Sequence, residues 1–363
     1  MAKTTFYPQY KKVTEIVRKR ILNGSYSLKV FPSERRLADE LGVNYMTVRR
    51  GLQILEQENI LVRQPNGRMR VKRVRQGKKT HLNFCFLSPS SSSTAVEFWR
   101  WSVRQATATL PCSVRPVLFM NWDDPILLDC LQGFDGIFLY PPPDAVPEVV
   151  AGYLRRAEHP VIVVDADLSP YGAPSIQLFP PVSIQKLLDH LADRGHTRIG
   201  CLNTQPGHHE VQDRINQWRY WMAAHGFTGH LADHPAPQHG DLMEPAFHIM
   251  KRILDDPNRQ ETAWVCITTP PAIGAMAAIL DKGMVPGRDI AICSVNGESI
   301  ASMLNPSLTS LECGDPAPYL AICLEWMMQG GGHWQGPLLM RPHDVPLKIR
   351  ESTQPGAGRG IVI

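Results

Sequence analysis

The stretch FPSERRLADELGVNYMTVRRGLQILEQENILVRQPNGRMRVKRV, Phe31 to Val74, decides how this chain is read. Ser33 predicts a helix start, because its hydroxyl can accept an amide proton that the first turn leaves unpaired. Leu41-Gly42 predicts the stop, since glycine takes the left-handed cap conformation. Asn44 is a second cap, and Val48, Leu52 and Leu55 then recur at i, i+4 and i+7. They form one packed stripe, leaving Tyr45, Thr47, Arg49 and Arg50 off it. Two short helices joined by a glycine-containing turn make a helix-turn-helix, whose second helix normally enters the major groove of DNA. Ile60 to Arg63 then reads as a strand, Pro65-Asn66-Gly67 as a turn and Arg68 to Lys72 as the return strand. On the return strand Met69 and Val71 alternate with Arg68, Arg70 and Lys72, which gives one apolar and one cationic face. A basic hairpin beside a helix-turn-helix is a wing.

With helices, turn and wing in this order, PSERRLADELGVNYMTVRRGLQILEQENILVR resembles the signature of the GntR family of bacterial winged-helix regulators. The resemblance implies that Arg35, Arg36, Asn44, Tyr45, Thr47 and Arg49 face DNA, with Arg49 near a base edge and Arg35 near a phosphate. It also implies that Asn66, Gly67 and Arg68 of the wing reach the minor groove or its flanking phosphates. One position departs from the family. Arg36 stands where an acidic residue would complete a capping box, and puts positive charge at the positive end of a helix dipole. Either a DNA phosphate offsets this, or the side chain swings into solvent.

The charge of the 363-residue chain divides sharply. Residues 1–80 hold 19 Lys+Arg and 6 Asp+Glu, a net of +13, within a total of +4, so the remainder carries −9. That asymmetry suits a polyanion-binding head on an acidic body. The N-terminal MAKTTFYPQYKK lacks the apolar core of a signal peptide, and no apolar run approaches membrane-spanning length. The eight cysteines stand singly, several inside apparent strands such as AWVCI and AICSV. They read as reduced, buried small hydrophobes of a cytoplasmic protein.

Residues 8–22 predict a first helix with Val13, Ile16, Val17 and Ile21 on one face. Residues 73–80 read as a basic linker between a head, 1–72, and a body, 81–352, with a tail at 353–363. From His81 onward apolar strands alternate with helices in two successive runs, an α/β pattern of parallel sheets covered on both faces. Two such runs suggest two lobes around a cleft, where ligands bind beyond the carboxyl ends of the strands. HLADRGHTRIGCL, the helix with DRINQW, TAWVCITTPPAIGAMAAILDKGMVPGRDIAICSVN, NPSLTSL and LKIREST resemble the effector-binding domain of LacI-type regulators. The resemblance implies a type I periplasmic-binding-protein-like fold, with one lobe at about 81–178 plus 308–336 and the other at about 179–307 plus 337–350.

The same resemblance places Arg214 on the family's ligand-contacting arginine, and Asp165 ends a cleft-facing strand. Trp99, Trp101 and Trp122 lie near strand-end loops and could stack on a sugar ring. Three departures weigh against an ordinary hexose or pentose. Thr268-Thr269 replaces the usual Asn-Asp, Asn296-Gly297 the usual Asp-Asp, and Phe179-Pro180 the usual Asp-Asn. Thr268 and Asn296 are nevertheless the candidate contacts at their strand ends. With those carboxylates missing, and only Asp165 left as a counterweight, Arg214 favours an acidic or oligomeric sugar derivative; the alternative is a structural arginine bonded to strand-end carbonyls. The seven histidines between 208 and 248 have no HExxH or paired-cysteine spacing, so no metal site is read from them. No cofactor and no catalytic group are implied. The chain therefore reads as a homodimeric, operator-binding repressor answering to a carbohydrate-related effector. The alternatives are a regulator whose pocket has lost its ligand and, further off, an enzyme fused to a DNA-binding head.

Overall fold

The computed structural model describes residues 8–22, 26, 31–64, 67–71, 81–90, 93–156, 159–207, 209–237 and 240–354. The expected linker at 73–80, Asn66 of the wing turn, His208, His239 and the end of the tail lie outside them. Helices α1 (Gln9–Leu22), α2 (Glu34–Leu41) and α3 (Tyr45–Gln57) precede a hairpin of β1 (Leu61–Arg63) and β2 (Met69–Val71). Ser33 caps α2 by accepting the Arg36 amide at 3.3 Å, and Gly42 closes that helix at φ 62°. Asn44 caps α3 by accepting the Met46 amide at 2.8 Å. Val13, Val17, Leu37, Val48, Leu52, Leu55, Leu61 and Met69 share one core, as the periodicity requires.

Ile16 departs from its expected place on the buried face and is 40% exposed. Thr14 is buried instead, its hydroxyl lying 2.9 Å from the Tyr10 carbonyl and 3.1 Å from that of Gly51. A Cβ at Gly51 would approach the Tyr10 carbonyl to 3.0 Å, so α1 and α3 meet too closely for larger residues. A small polar residue at the crossing point therefore displaces the isoleucine from the packed seam.

The body opens with β3 (Leu82–Pro89), α4 (Thr94–Thr107), β4 (Cys112–Phe119), α5 (Pro125–Gly133), β5 (Gly136–Leu139), α6 (Glu148–Arg156), β6 (Val161–Val164) and β7 (Ser175–Ile176). It continues through α7 (Gln185–Asp193), β8 (Ile199–Asn203), α8 (His209–His225), β9 (Leu231–Asp233), α9 (Met243–Asp255), β10 (Ala263–Cys266), α10 (Thr269–Asp281), β11 (Ala291–Ser294) and α11 (Glu298–Met303). Last come β12 (Thr309–Leu311), α12 (Ala317–Met328), β13 (Leu339–Met340) and β14 (Leu347–Lys348). Two six-stranded sheets result, ordered β13-β7-β6-β5-β3-β4 and β14-β12-β11-β10-β8-β9. All pairings are parallel except β14 against β12.

The late crossovers differ from the expected lobe limits. β12, expected in the first lobe, pairs with β11 of the second, and β13, expected in the second, pairs with β7 of the first. α12 between them does pack on α4 of the first lobe. The strands concerned have three and two residues, too few for an alternation of polar and apolar positions to register. One apolar cluster runs from the face of the first sheet through Leu178, Phe179 and Ile184 to the face of the second. The lobes thus share a packed seam at their first crossover. All eight cysteines are free thiols, six of them buried, which fits their reading as small hydrophobes. Among the described residues, no helix is long and apolar enough to cross a membrane.

Candidate functional sites

At the start of α3 the chain builds a cationic surface around one carboxylate. Arg63 of β1 donates to Glu34 Oε1 at 3.1 Å and to the Gly67 carbonyl of the wing turn at 3.2 Å. Its Nε lies 3.8 Å from Glu56. The Tyr45 hydroxyl also hydrogen-bonds to Glu34. Burial would push the Glu34 carboxyl up, but these bonds and the charges of Arg63 and Arg49 outweigh it and hold the group below its ordinary value. That bond to Glu34, more than burial, raises the Tyr45 phenol. Recognition helix, α2 and wing are therefore tied together through Glu34.

The expected DNA-facing residues fall into two groups. Arg35, Arg36 and Arg49 are exposed and form no ion pair among the described residues, as side chains awaiting a polyanion would be. Asn44 and Tyr45 are already engaged within the head, as cap and as Glu34 donor. Thr47 is half-buried beside them. Gly67 sits at φ 78°, and Arg68 is exposed on the wing. Arg36 stands exposed in the first turn of α2, which also holds the acidic Glu34. Glu34, Arg63 and the exposed Met46 were absent from the expected set.

In the body, strand ends of the first lobe meet α8 of the second. Asp165 follows β6 at φ 68°, a left-handed turn that aspartate tolerates better than most residues. Its carboxylate accepts the Tyr140 hydroxyl, at the end of β5, at 2.8 Å. Burial pushes the Asp165 carboxyl up, while hydrogen bonds from Tyr140 and Trp99 and the charge of Arg214 pull it back. Burial, then the neighbouring Asp165, moves Tyr140 well above the usual phenol range. Arg214 on α8 donates to the Ile267 carbonyl beyond β10 at 3.3 Å, and its Nε is buried with no acceptor among the described residues. Burial lowers its pKa, opposed by Asp165, Glu210 and Tyr140.

Glu210 also accepts the Asp167 amide of the first lobe at 3.3 Å, bridging the cleft. Arg341 of the third crossover donates to Gln177 of the first at 2.8 Å and lies 3.7 Å from Asp167. Arg214 therefore does not lack acidic counterweights. Glu210 joins Asp165 as an acidic neighbour, and the bond to the Ile267 carbonyl matches the alternative of a structural arginine at a strand end.

Of the other expected contacts, Trp99 and Trp122 look inward and Trp101 does not. Trp99 is 1% exposed, a core side chain whose indole serves Asp165. Trp122 is buried against Phe119, and its indole donates to the Asp144 carbonyl at 2.9 Å, so it is not a stacking platform. Trp101 is exposed on α4. Thr268 accepts from Gln205 at 2.8 Å. Thr269 lies 3.2 Å from Ser294 Oγ and bonds the Asn296 carbonyl, joining the ends of β10 and β11. Asn296 stands at φ 62°, and a Cβ on Gly297 would fall 1.8 Å from Ser310 Oγ, which leaves no space for an aspartate there. Phe179 is buried in the seam between lobes. Glu210 was readable from sequence, four residues before Arg214 on one helix face. Tyr140 was too, by the strand-end rule that found Asp165.

Residues 9–71 match the model of the gntR family of bacterial regulatory proteins, and residues 188–321 that of the periplasmic binding protein-like domain. The HTH-type transcriptional repressor MelR of Bacillus subtilis (strain 168) is 28% identical over 170 residues, covering 46% of this chain and 48% of that protein. The probable HTH-type transcriptional repressor ExuR of the same organism is 24% identical over 186 residues, covering 49% of this chain and 53% of that protein. The matched stretches thus span about half the length of these relatives. The LacI family transcriptional regulator CCPA from Weissella paramesenteroides, solved with bound sucrose, superposes with a TM-score of 0.61 at 15% identity. That superposition covers 76% of this chain and 99% of the other, which shows a shared fold.

Proposed function

We propose that this chain, a GntR-type helix-turn-helix joined to a periplasmic-binding-protein-like body, is a transcription repressor whose operator affinity is set by a carbohydrate-like effector. In this reading residues 1–72 form the DNA-binding head, 73–80 the linker and 81–352 the effector body of a cytoplasmic homodimer on a pseudo-palindromic operator. The observation that carries it is the bridge from Asp165 and Asp167 of one lobe to Arg214 and Glu210 of the other. A ligand seated there exchanges bonds with both lobes at once, so its binding biases their relative position. That change reaches the two heads of a dimer as a change in their spacing.

The buried, acceptor-less Nε of Arg214 beside the Asp165 carboxylate offers a donor and an acceptor, which suits adjacent hydroxyls of a neutral polyol. A second reading, regulation without a small ligand, is favoured by the bonds that already occupy the hydroxyls of Thr268 and Thr269. A thermal-shift screen of the full chain against neutral sugars, sugar acids and oligosaccharides separates the readings. A neutral sugar that raises the midpoint supports the first. A response confined to sugar acids restores the charged-ligand reading, and a silent screen supports the second.

A further inference from the structure

Met46 is 62% exposed, more than any other large apolar side chain of the described head. It stands second in α3, where the amino-terminal residues of a recognition helix meet base edges. At about 100° per residue it projects roughly 150° round the helix from the Val48, Leu52 and Leu55 stripe, between Arg49 and Arg50. Its neighbour Tyr45 is held by Glu34, which Arg63 holds in turn. The first turn of α3 is thus fixed from one side, and the group it presents outward is a thioether among cations. Phosphates give such a side chain nothing to bind. The apolar feature of a major groove is the C5-methyl of thymine. Methionine, unbranched and polarizable, adapts to such a contact.

We propose that Met46 is a specificity-determining residue that packs against a thymine methyl in each operator half-site. The inference rests on the regulator reading and adds a named base contact to it. For the test, full-length protein selects duplexes from a randomised pool, and each thymine of the enriched half-site is replaced by deoxyuridine, which lacks only the methyl. Wild type loses about fourfold in affinity at one thymine per half-site, the value of one buried methyl-sized group. Met46→Ala binds both duplexes alike at that position, and Met46→Leu keeps the discrimination. An enriched half-site with no methyl-sensitive thymine, or a sensitivity that Met46→Ala leaves intact, overturns the assignment while the regulator reading stands. Failure to enrich any duplex overturns both.

Discussion

Arg35, Arg36 and Arg49 on the head stand exposed without an ion pair among the described residues, whereas Arg214 in the cleft has two carboxylates and a carbonyl around it. Under the proposed reading the head holds its charge ready for a partner that brings many anions, and its binding should be long-ranged and weakened by salt. In the cleft most polar groups already bond one another and the Arg214 Nε is left over among the described residues, so a ligand gains a bond there and elsewhere only what its own bonds exceed. Position in the fold, more than residue type, decides whether an arginine is a handle for a polyanion or part of a selective pocket.

The sharpest way to break this contrast is at Phe179, where the LacI-type pattern has a polar ligand contact and this chain has core. Phe179→Ala should destabilise the full chain by about 3–5 kcal/mol in denaturant unfolding, as for a large buried aromatic. A loss near zero, with effector binding abolished, would make the crossover a binding surface after all. On the head, Arg49→Ala should weaken the selected operator by about 1–3 kcal/mol and relax its sequence preference, whereas Arg35→Ala should weaken all duplexes alike and lower the salt slope by about 1. Equal loss of preference in both variants would erase the distinction between base reader and phosphate anchor.

The smallest effect expected is the acid dependence of Glu34. Its folded pKa is depressed, so its contribution to stability is present above the unfolded value and is lost as pH falls through the depressed one. Acid titration of the unfolding midpoint should show that loss in wild type and not in Glu34→Gln. For a group this near the surface the difference should stay below about 1 kcal/mol. Identical profiles would mean that Arg63 and Tyr45 do not hold the carboxylate.

The head was legible because each of its signals is local. Ser33, Gly42, Asn44 and the Val48-Leu52-Leu55 stripe fix helices within a few residues of themselves. Ile16 was misplaced because the choice between it and Thr14 is made by Gly51, far along the chain. The parallel α/β body was legible from buried apolar strands alternating with helices. Its last crossovers were not, because β12 and β13 are defined by their pairing and not by any pattern of their own. In the cleft Asp165 and Arg214, named from a strand end and from a family position, lie near enough for each charge to act on the other. The inward turn of Trp99 and Trp122 was not legible, since proximity to a loop says nothing about which way an indole points.

The central claim is that the cleft controls the head. The most direct measurement is the affinity of the full chain for its selected operator with and without a sugar identified by thermal shift, in wild type and Arg214→Ala. Removing one partner of a buried, hydrogen-bonded charge cluster should weaken effector binding by about 2–5 kcal/mol. Wild-type operator affinity should change at least tenfold with effector, a coupling of about 1.4 kcal/mol, and that of Arg214→Ala should not change at the same sugar concentration. A sugar that binds wild type, needs Arg214 and leaves operator affinity unchanged would contradict that claim.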